Sequence, residues 1–411
     1  MTESTRRSLM GAAAAAPLLA MPLSARAQAA NTIRVGVLTD LSGTFRDLNG
    51  PNTVAATRLA AQEFAGRGFN VEVVVADHQN RPDVGVNIAR QWFDRENVDV
   101  VTSLAASSVA LAVADVARER NKVAIATSTA TSDLTGRACN PNTIHWVYDT
   151  YMLAKTSGGA TVRAGGDTWF FMTADYAFGH ALERDTSAFV RAAGGRVVGS
   201  VRTPFPGTTD FSSFLLQAQA SRAKVIGLAN AGVDTINSIK QAAEFGITRR
   251  GVKIASLLLF ITDVHALGLE VAQGLVCANT FYWDANDQTR GLTRRIRAIA
   301  GGDTPVAMSH AGDYAGTLHY LKTVADMGVA AAKASGRATV ERMKAMPTQD
   351  DAFGAGSIRA DGRKLHPAFL YEVKSPAESR HQHDYYKLLQ TSTAEEAFRP
   401  LAEGGCSLIR P

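Results

Sequence analysis

Two short stretches, Ser103-Leu104-Ala105-Ala106-Ser107-Ser108 and Thr127-Ser128-Thr129-Ala130-Thr131, gather hydroxyls on small residues and contain no acid. Each follows an apolar, β-branched run, Val98 to Thr102 and Val123 to Ile125. Serine and threonine hydroxyls, together with main-chain N–H groups, can hold a carboxylate without a metal or a nucleophile. Ordinary helix capping by Ser107 and Ser132 is the competing use of the same residues, and the two uses are compatible. Arg46, beside Asp47, offers a cation for an anionic group, with a surface ion pair to Asp47 as the alternative.

Catalytic chemistry has no comparable footing. The chain contains no G-x-x-x-x-G-K-[ST], no G-x-G-x-x-G after its first strand-like run and no G-x-S-x-G. His310 and His319 fall on different faces of a helix with 3.6 residues per turn. Asp77, Glu270 and Asp313 lack paired acid/base spacing, and His381-Gln382-His383-Asp384, between Arg380 and Lys387, reads as a solvated loop rather than a metal set. No enzyme activity, cofactor or metal is therefore expected.

Hydroxyl loops at strand ends require strands, and the hydropathy pattern supplies them. Ile33 to Leu38, Val71 to Val75, Val98 to Thr102 and Val123 to Ile125 alternate with helix-like segments at Thr53 to Ala65, Asp83 to Arg95 and Val109 to Arg120. Such alternation marks parallel β-α-β units, and ligands of open α/β sheets bind beyond the carboxyl ends of the strands. The rhythm pauses near Thr143 to Asp149 and restarts with Trp169 to Met172, Val197 to Val201, Val225 to Leu228 and Ile254 to Phe260. A long helical stretch, His310 to Gly328 and Arg337 to Met346, then has no strands of its own and must pack back on the first unit. The expected division is lobe 1 at 28–148 plus 282–352 and lobe 2 at 149–281 plus 353–411, joined by short hinges.

The 411 residues are 46% hydrophobic and 20% charged, with a formal charge of +5 spread along the chain. That excludes general disorder and offers no basic stripe for nucleic acid. Arg6-Arg7, the Ala-rich stretch Leu9 to Leu23 and Ala25-Arg26-Ala27 read as a twin-arginine-type export signal over 1–27, with no cysteine to anchor a lipid. A periplasmic location makes thiol pairing relevant. With three cysteines, at most one internal bridge forms; Cys277 lies in an apolar run, so Cys139 with Cys406 is the expected pair.

Leu41-Ser42-Gly43, Asp77 with Arg81-Pro82-Asp83, the two hydroxyl loops, Asp175 to Gly179, Thr209 to Ser212 and Gln273-Gly274-Leu275 follow one another in an order that resembles the leucine/isoleucine/valine-binding protein family. The resemblance covers essentially the whole chain after the export signal. It implies a type I periplasmic-binding fold: two doubly wound parallel-sheet lobes joined by three hinge crossovers. It also implies a monomeric receptor that traps a small carboxylate and delivers it to ABC permease subunits; a sensor signalling to a membrane receptor is the alternative. Carried over position by position, the ligand loops fall on Ala106, Ser107, Ser128, Thr129 and Ala130 in one lobe. In the other they fall on Tyr176, Phe178, Asn230, Ala231 and Phe260. The acid that pairs with an amino-acid ammonium in the family is replaced here by Leu257 to Ile261, with Asp234 or Asp263 as neighbouring substitutes. An unpaired buried ammonium is costly, which favours an amine-free aromatic or aliphatic acid over a branched-chain amino acid.

Overall fold

The computed structural model describes residues 31–409, so the export segment expected at 1–27 lies outside the described residues. Strands β1 (Thr32–Thr39), β2 (Asn70–Asp77), β3 (Val100–Ser103), β4 (Val123–Ala126) and β5 (Thr143–His145) form a parallel sheet in the order β2-β1-β3-β4-β5. Val35, Val37, Val101 and Ile125 are wholly buried, as parallel strands covered by helices on both faces must be. β6 (Thr168–Ala174), β7 (Arg196–Thr203), β8 (Val225–Ala229) and β9 (Lys253–Ser256) make a second parallel sheet, β7-β6-β8-β9. These two sheets and their helices are the type I periplasmic-binding fold.

Three crossings connect the lobes. The first leaves β5 through Trp146 to Asp149, whose carboxylate caps helix Thr150–Arg163 by accepting from Met152 N at 2.8 Å. The second leaves β10 (Val276–Asn279) and returns through helix Asp287–Ala300, which packs on helix Gly50–Glu63 of the first lobe. Helix Met308–Met327 packs on the same helix, so the strand-poor stretch does return to the first lobe.

One boundary needs correcting. β11 (Thr348–Asp350), β12 (Gly354–Ile358) and β13 (Lys364–Leu365) form one antiparallel sheet, and Arg363 bridges His145 beside β5. Residues 354–365 therefore belong with the first lobe, because β12 pairs with β11 rather than with the second sheet. The third crossing is at His366-Pro367, before β14 (Ala368–Val373), which pairs with β10 and β15 (Tyr386–Ser392). Cys139 and Cys406 are joined by a disulfide with their Cα atoms 5.6 Å apart, and Cys277 is free and buried.

Candidate functional site

The parallel strands aim their carboxyl ends at the space between the lobes. The helices that follow begin there: Ser107–Glu119 after β3, Ala177–Ala192 after β6, Val233–Glu244 after β8 and Ile261–Leu267 after β9. The first turn of a helix carries N–H groups without an intrahelical acceptor, and its dipole favours an anion. A narrow cavity lies between these ends. Ala105, Ser107, Ser128 and Ala130 form its first-lobe floor, and Phe45, Leu48 and Tyr148 stand at that lobe's rim. Tyr176, Phe178, Ala231, Leu258 and Phe260 close it from the second lobe, and no charged side chain is among its lining.

The first-lobe floor is held by a dense polar network. Ser103 and Leu104 have φ of 75° and 59°, a left-handed conformation that non-glycine residues adopt at a cost of about 1–3 kcal/mol. Their surroundings over-determine it: Ser103 N–H donates to Thr127 Oγ1 at 2.9 Å, Ser103 Oγ to Thr39 Oγ1 at 2.9 Å, and Thr129 Oγ1 to the Leu104 carbonyl. Ser107 Oγ accepts from Thr131 N–H at 3.2 Å, tying one hydroxyl loop to the other. The expected caps are arranged differently, since Ala106 occupies the N-cap position of helix Ser107–Glu119 and Thr131 caps the short turn Ser132–Thr135. Phe45 is placed by Asp40, which accepts from Gly43 N–H at 2.7 Å and Phe45 N–H at 2.8 Å.

The second wall is built of rings. Tyr176 stacks on Phe205 at 4.0 Å, Phe205 stacks on Phe45 of the first lobe at 5.5 Å, and Tyr148 meets Phe260 edge-on at 5.5 Å. The lobes also meet where Val233 N–H donates to the Thr44 carbonyl at 3.3 Å. Gly232 makes that approach possible: at φ 61° a Cβ there would lie 2.6 Å from the Thr44 oxygen. Nearer the hinge, Arg184 pairs with Asp133 at 3.2 Å and Ser132 Oγ donates to Asp185 at 2.7 Å. The lobes are thus in direct contact around the cavity.

Of the residues singled out in the sequence, Ser107, Ser128, Ala130, Tyr176, Phe178, Ala231 and Phe260 line the cavity. Arg46 does not; it is exposed and paired with Asp47 at 2.8 Å. Ala106 is buried behind the floor, and Thr129 spends its hydroxyl on Leu104. Asn230 serves the helix after β8, accepting from Thr235 Oγ1 at 2.7 Å and donating to Ser238 Oγ at 3.1 Å. Sequence reasoning missed Phe45, Leu48, Ala105, Tyr148 and Leu258. Ala105 and Leu258 sit inside stretches the sequence had marked and Phe45 directly precedes Arg46, whereas Tyr148 lies on a crossing, where strand periodicity gives no signal.

Two acids stand close behind the second-lobe wall. Asp263 caps its own helix by accepting from Phe260 N–H at 2.9 Å, so it is already used. Asp234, in the first turn of helix Val233–Glu244, is 2% exposed and its Oδ2 has no hydrogen-bond partner. Burial pushes both carboxyls up to about 7. The segment around His381 departs from a solvated loop: His383 and Asp384 are buried. Asp284, His381 and Asp384 come within metal-ligand spacing, but Lys374 already pairs with Asp384 at 2.5 Å and Arg290 with Asp284 at 2.9 Å.

Two α/β lobes that meet over a cavity lined from both sides, with helix N-termini around it, have the architecture of proteins that hold a solute in an interlobe cleft. The sequence profile described as periplasmic binding protein matches residues 32–380, and the chain belongs to this family, in its leucine/isoleucine/valine-binding branch. It is similar to a periplasmic binding protein of Burkholderia mallei, with 43% identity over 93% of this chain and 100% of that one, at a TM-score of 0.88. A branched chain amino acid ABC transporter periplasmic ligand-binding protein of Burkholderia xenovorans shares 36% identity over 92% and 99% of the two chains, at a TM-score of 0.78. A Leu/Ile/Val-binding protein homolog of Brucella melitensis is 24% identical over 91% of this chain and 95% of that protein. At 20% identity and a TM-score of 0.78, a solute-binding protein of R. palustris in complex with benzoate shares the fold over 92% of this chain and 99% of its own. Members of the family bind small molecules outside the cytoplasm for ABC transporters and are not enzymes. Among the described residues no helix is long and apolar enough to cross a membrane.

Proposed function

We propose that this receptor captures a small amine-free carboxylic acid with an aromatic or compact aliphatic body and delivers it to an ABC permease. The observation that carries the reading is the lining: five rings (Phe45, Tyr148, Tyr176, Phe178 and Phe260) and two serines, with no charged side chain. A carboxylate fits the hydroxyls and helix N-termini of the first-lobe floor, while an ammonium finds no lining acid. The place of Ser107, Ser128 and Ala130 in the lining supports carboxylate binding by the two hydroxyls and the main chain of Ala130. The R. palustris neighbour, which shares the fold alone, is in complex with benzoate.

Thermal-shift measurements with benzoate, 4-hydroxybenzoate, leucine and valine test the choice. A ligand at a hundred times its Kd stabilises the folded state by about 2.7 kcal/mol. The aromatic acids are expected to raise Tm; stabilisation by leucine or valine alone would sink the amine-free version. Asp234 favours a second reading, in which a branched-chain amino acid directs its ammonium toward the unbonded Oδ2 beside Ala231. Asp234→Asn would then abolish leucine binding and leave benzoate binding intact.

Transport rather than signalling follows if the ligand-loaded protein stimulates ATP hydrolysis by its permease in vesicles; loss of taxis without loss of uptake in a deletion strain would indicate the sensor. Removal of the export signal predicts a mature periplasmic chain starting after Ala27, checked by N-terminal sequencing, and a monomer by light scattering.

A further inference from the structure

Helix Met308–Met327 lies directly behind the cavity floor. Glycines allow the approach: a Cβ at Gly312 would lie 2.9 Å from the Thr127 carbonyl oxygen, and one at Gly316 2.8 Å from Thr127 Cγ2. Between these two glycines is Asp313, wholly buried. Its Oδ1 accepts from Thr127 Oγ1 and its Oδ2 from Ser128 Oγ at 3.3 Å. Thr53 and Thr102 stand around the same carboxyl. No lysine, arginine or histidine pairs with it among the described residues. Tyr148 is the titratable group that faces it from the crossing, and the Asp313 charge adds to the burial that raises this phenol. On its own helix, His310 turns to accept from Ala307 N–H at 3.0 Å and Tyr314 donates to Glu63 at 2.8 Å.

We propose that Asp313 is a positioning residue of the cleft: it decides which way the Ser128 hydroxyl donates, so that a carboxylate ligand enters together with a proton. The proposal rests on the reading of the cleft as a carboxylate site. A serine hydroxyl has one proton to donate. While Asp313 is ionised, that proton is directed at Oδ2. Ser128 then shows the cavity only lone pairs, with a negative charge one hydrogen bond behind them. An incoming carboxylate meets acceptors and like charge in a poorly hydrated place. When Asp313 takes a proton from solvent, its own O–H becomes a donor to the neighbouring hydroxyls, and the Ser128 proton is released to turn toward the ligand. Burial pushes the Asp313 carboxyl up to about 7, against the hydroxyls that lower it, so both forms are within reach near neutrality.

Calorimetric titration with benzoate, 4-hydroxybenzoate and leucine, each in two buffers of different ionisation enthalpy, reads proton uptake directly, and affinity is followed from pH 6 to 8.5. Wild-type protein is expected to take up as much as about one proton per carboxylate bound and to lose affinity above pH ~7, up to about tenfold per pH unit. Asp313→Asn mimics the neutral acid; it should bind well at pH 8 with no uptake and no slope. Wild-type binding with a flat pH profile and no uptake overturns the proposal, and so does a variant that retains the wild-type slope. If none of the three probes binds, the carboxylate reading of the cleft fails, and Asp313 is judged on ligand-free protein. A carboxyl raised in the folded state holds a proton that the unfolded chain has released. Stability is therefore lost as pH rises from the ordinary carboxylate range to about 7. Wild type should show that loss of Tm relative to Asp313→Asn, and coincident Tm profiles would overturn the assignment.

Discussion

The two walls of the cavity are made of different material. The first-lobe floor is main chain and hydroxyls, each fixed by a partner within its own lobe, as with Ser107 on Thr131 and Thr129 on Leu104. The second-lobe wall is rings, and two of the ring contacts that position it reach across to the first lobe, Phe205 to Phe45 and Phe260 to Tyr148. A floor satisfied internally is organised before a ligand arrives, so its polar geometry costs little at binding. A wall that needs its opposite lobe is complete only on closure. Recognition of the charged group and commitment to the closed form are thereby assigned to opposite sides of the cleft.

That division can be broken most severely at the lobe contact. Gly232→Ala should weaken ligand binding by about 100-fold, because the added Cβ meets the Thr44 oxygen only when the lobes close, and strain of this kind costs on the order of 1–3 kcal/mol. Small-angle scattering should then show no compaction on adding ligand; normal compaction would dismiss the contact as a seat. Phe178→Ala strips one ring from the second wall and should cost about 1.5–3 kcal/mol of binding. Stopped-flow kinetics should place the loss mainly in a faster release of ligand, since the first-lobe floor is untouched. Ser128→Ala should cost about 1 kcal/mol, as one hydrogen bond typically does, and should spare closure. Unchanged affinity would remove this serine from the site. Arg46→Ala should change affinity by less than about 1 kcal/mol, because an exposed ion pair with Asp47 contributes little. A tenfold loss there would restore Arg46 to the cleft.

The lobes and the hydroxyl floor were legible because both rest on short-range regularities: buried β-branched runs declare parallel strands, and the residues just after them have to lie at the sheet's carboxyl edge. Side-chain direction was not legible. Thr129 and Ser128 are neighbours of similar chemistry, yet one turns back to a strained carbonyl and the other faces the cavity. Asn230 has the composition of a ligand contact but is consumed by the helix it introduces. The boundary near 353 was misplaced for a related reason: β12 and β14 look alike as short apolar pieces, and their partners, β11 and β10, are set by tertiary pairing. Asp313, distant in sequence from the loops it supports, carried no local sign of its role.

The disulfide has a mechanical side. The C-terminal segment lies along helix Thr150–Arg163 of the second lobe, where Lys155 donates to the Glu396 carbonyl, and Arg399 reaches the Ser132 carbonyl of the first lobe at 2.9 Å. Cys406 then fastens the tail to Cys139, across a sequence separation of 267 residues. The tail is a strap drawn over the hinge side, leaving one covalent tether more than the three crossings supply. Reduction should lengthen the stroke of the ligand-free protein, seen as a larger radius of gyration, and unreduced protein should titrate a single thiol, Cys277, once unfolded. The redox state of its surroundings would then set how far this receptor opens.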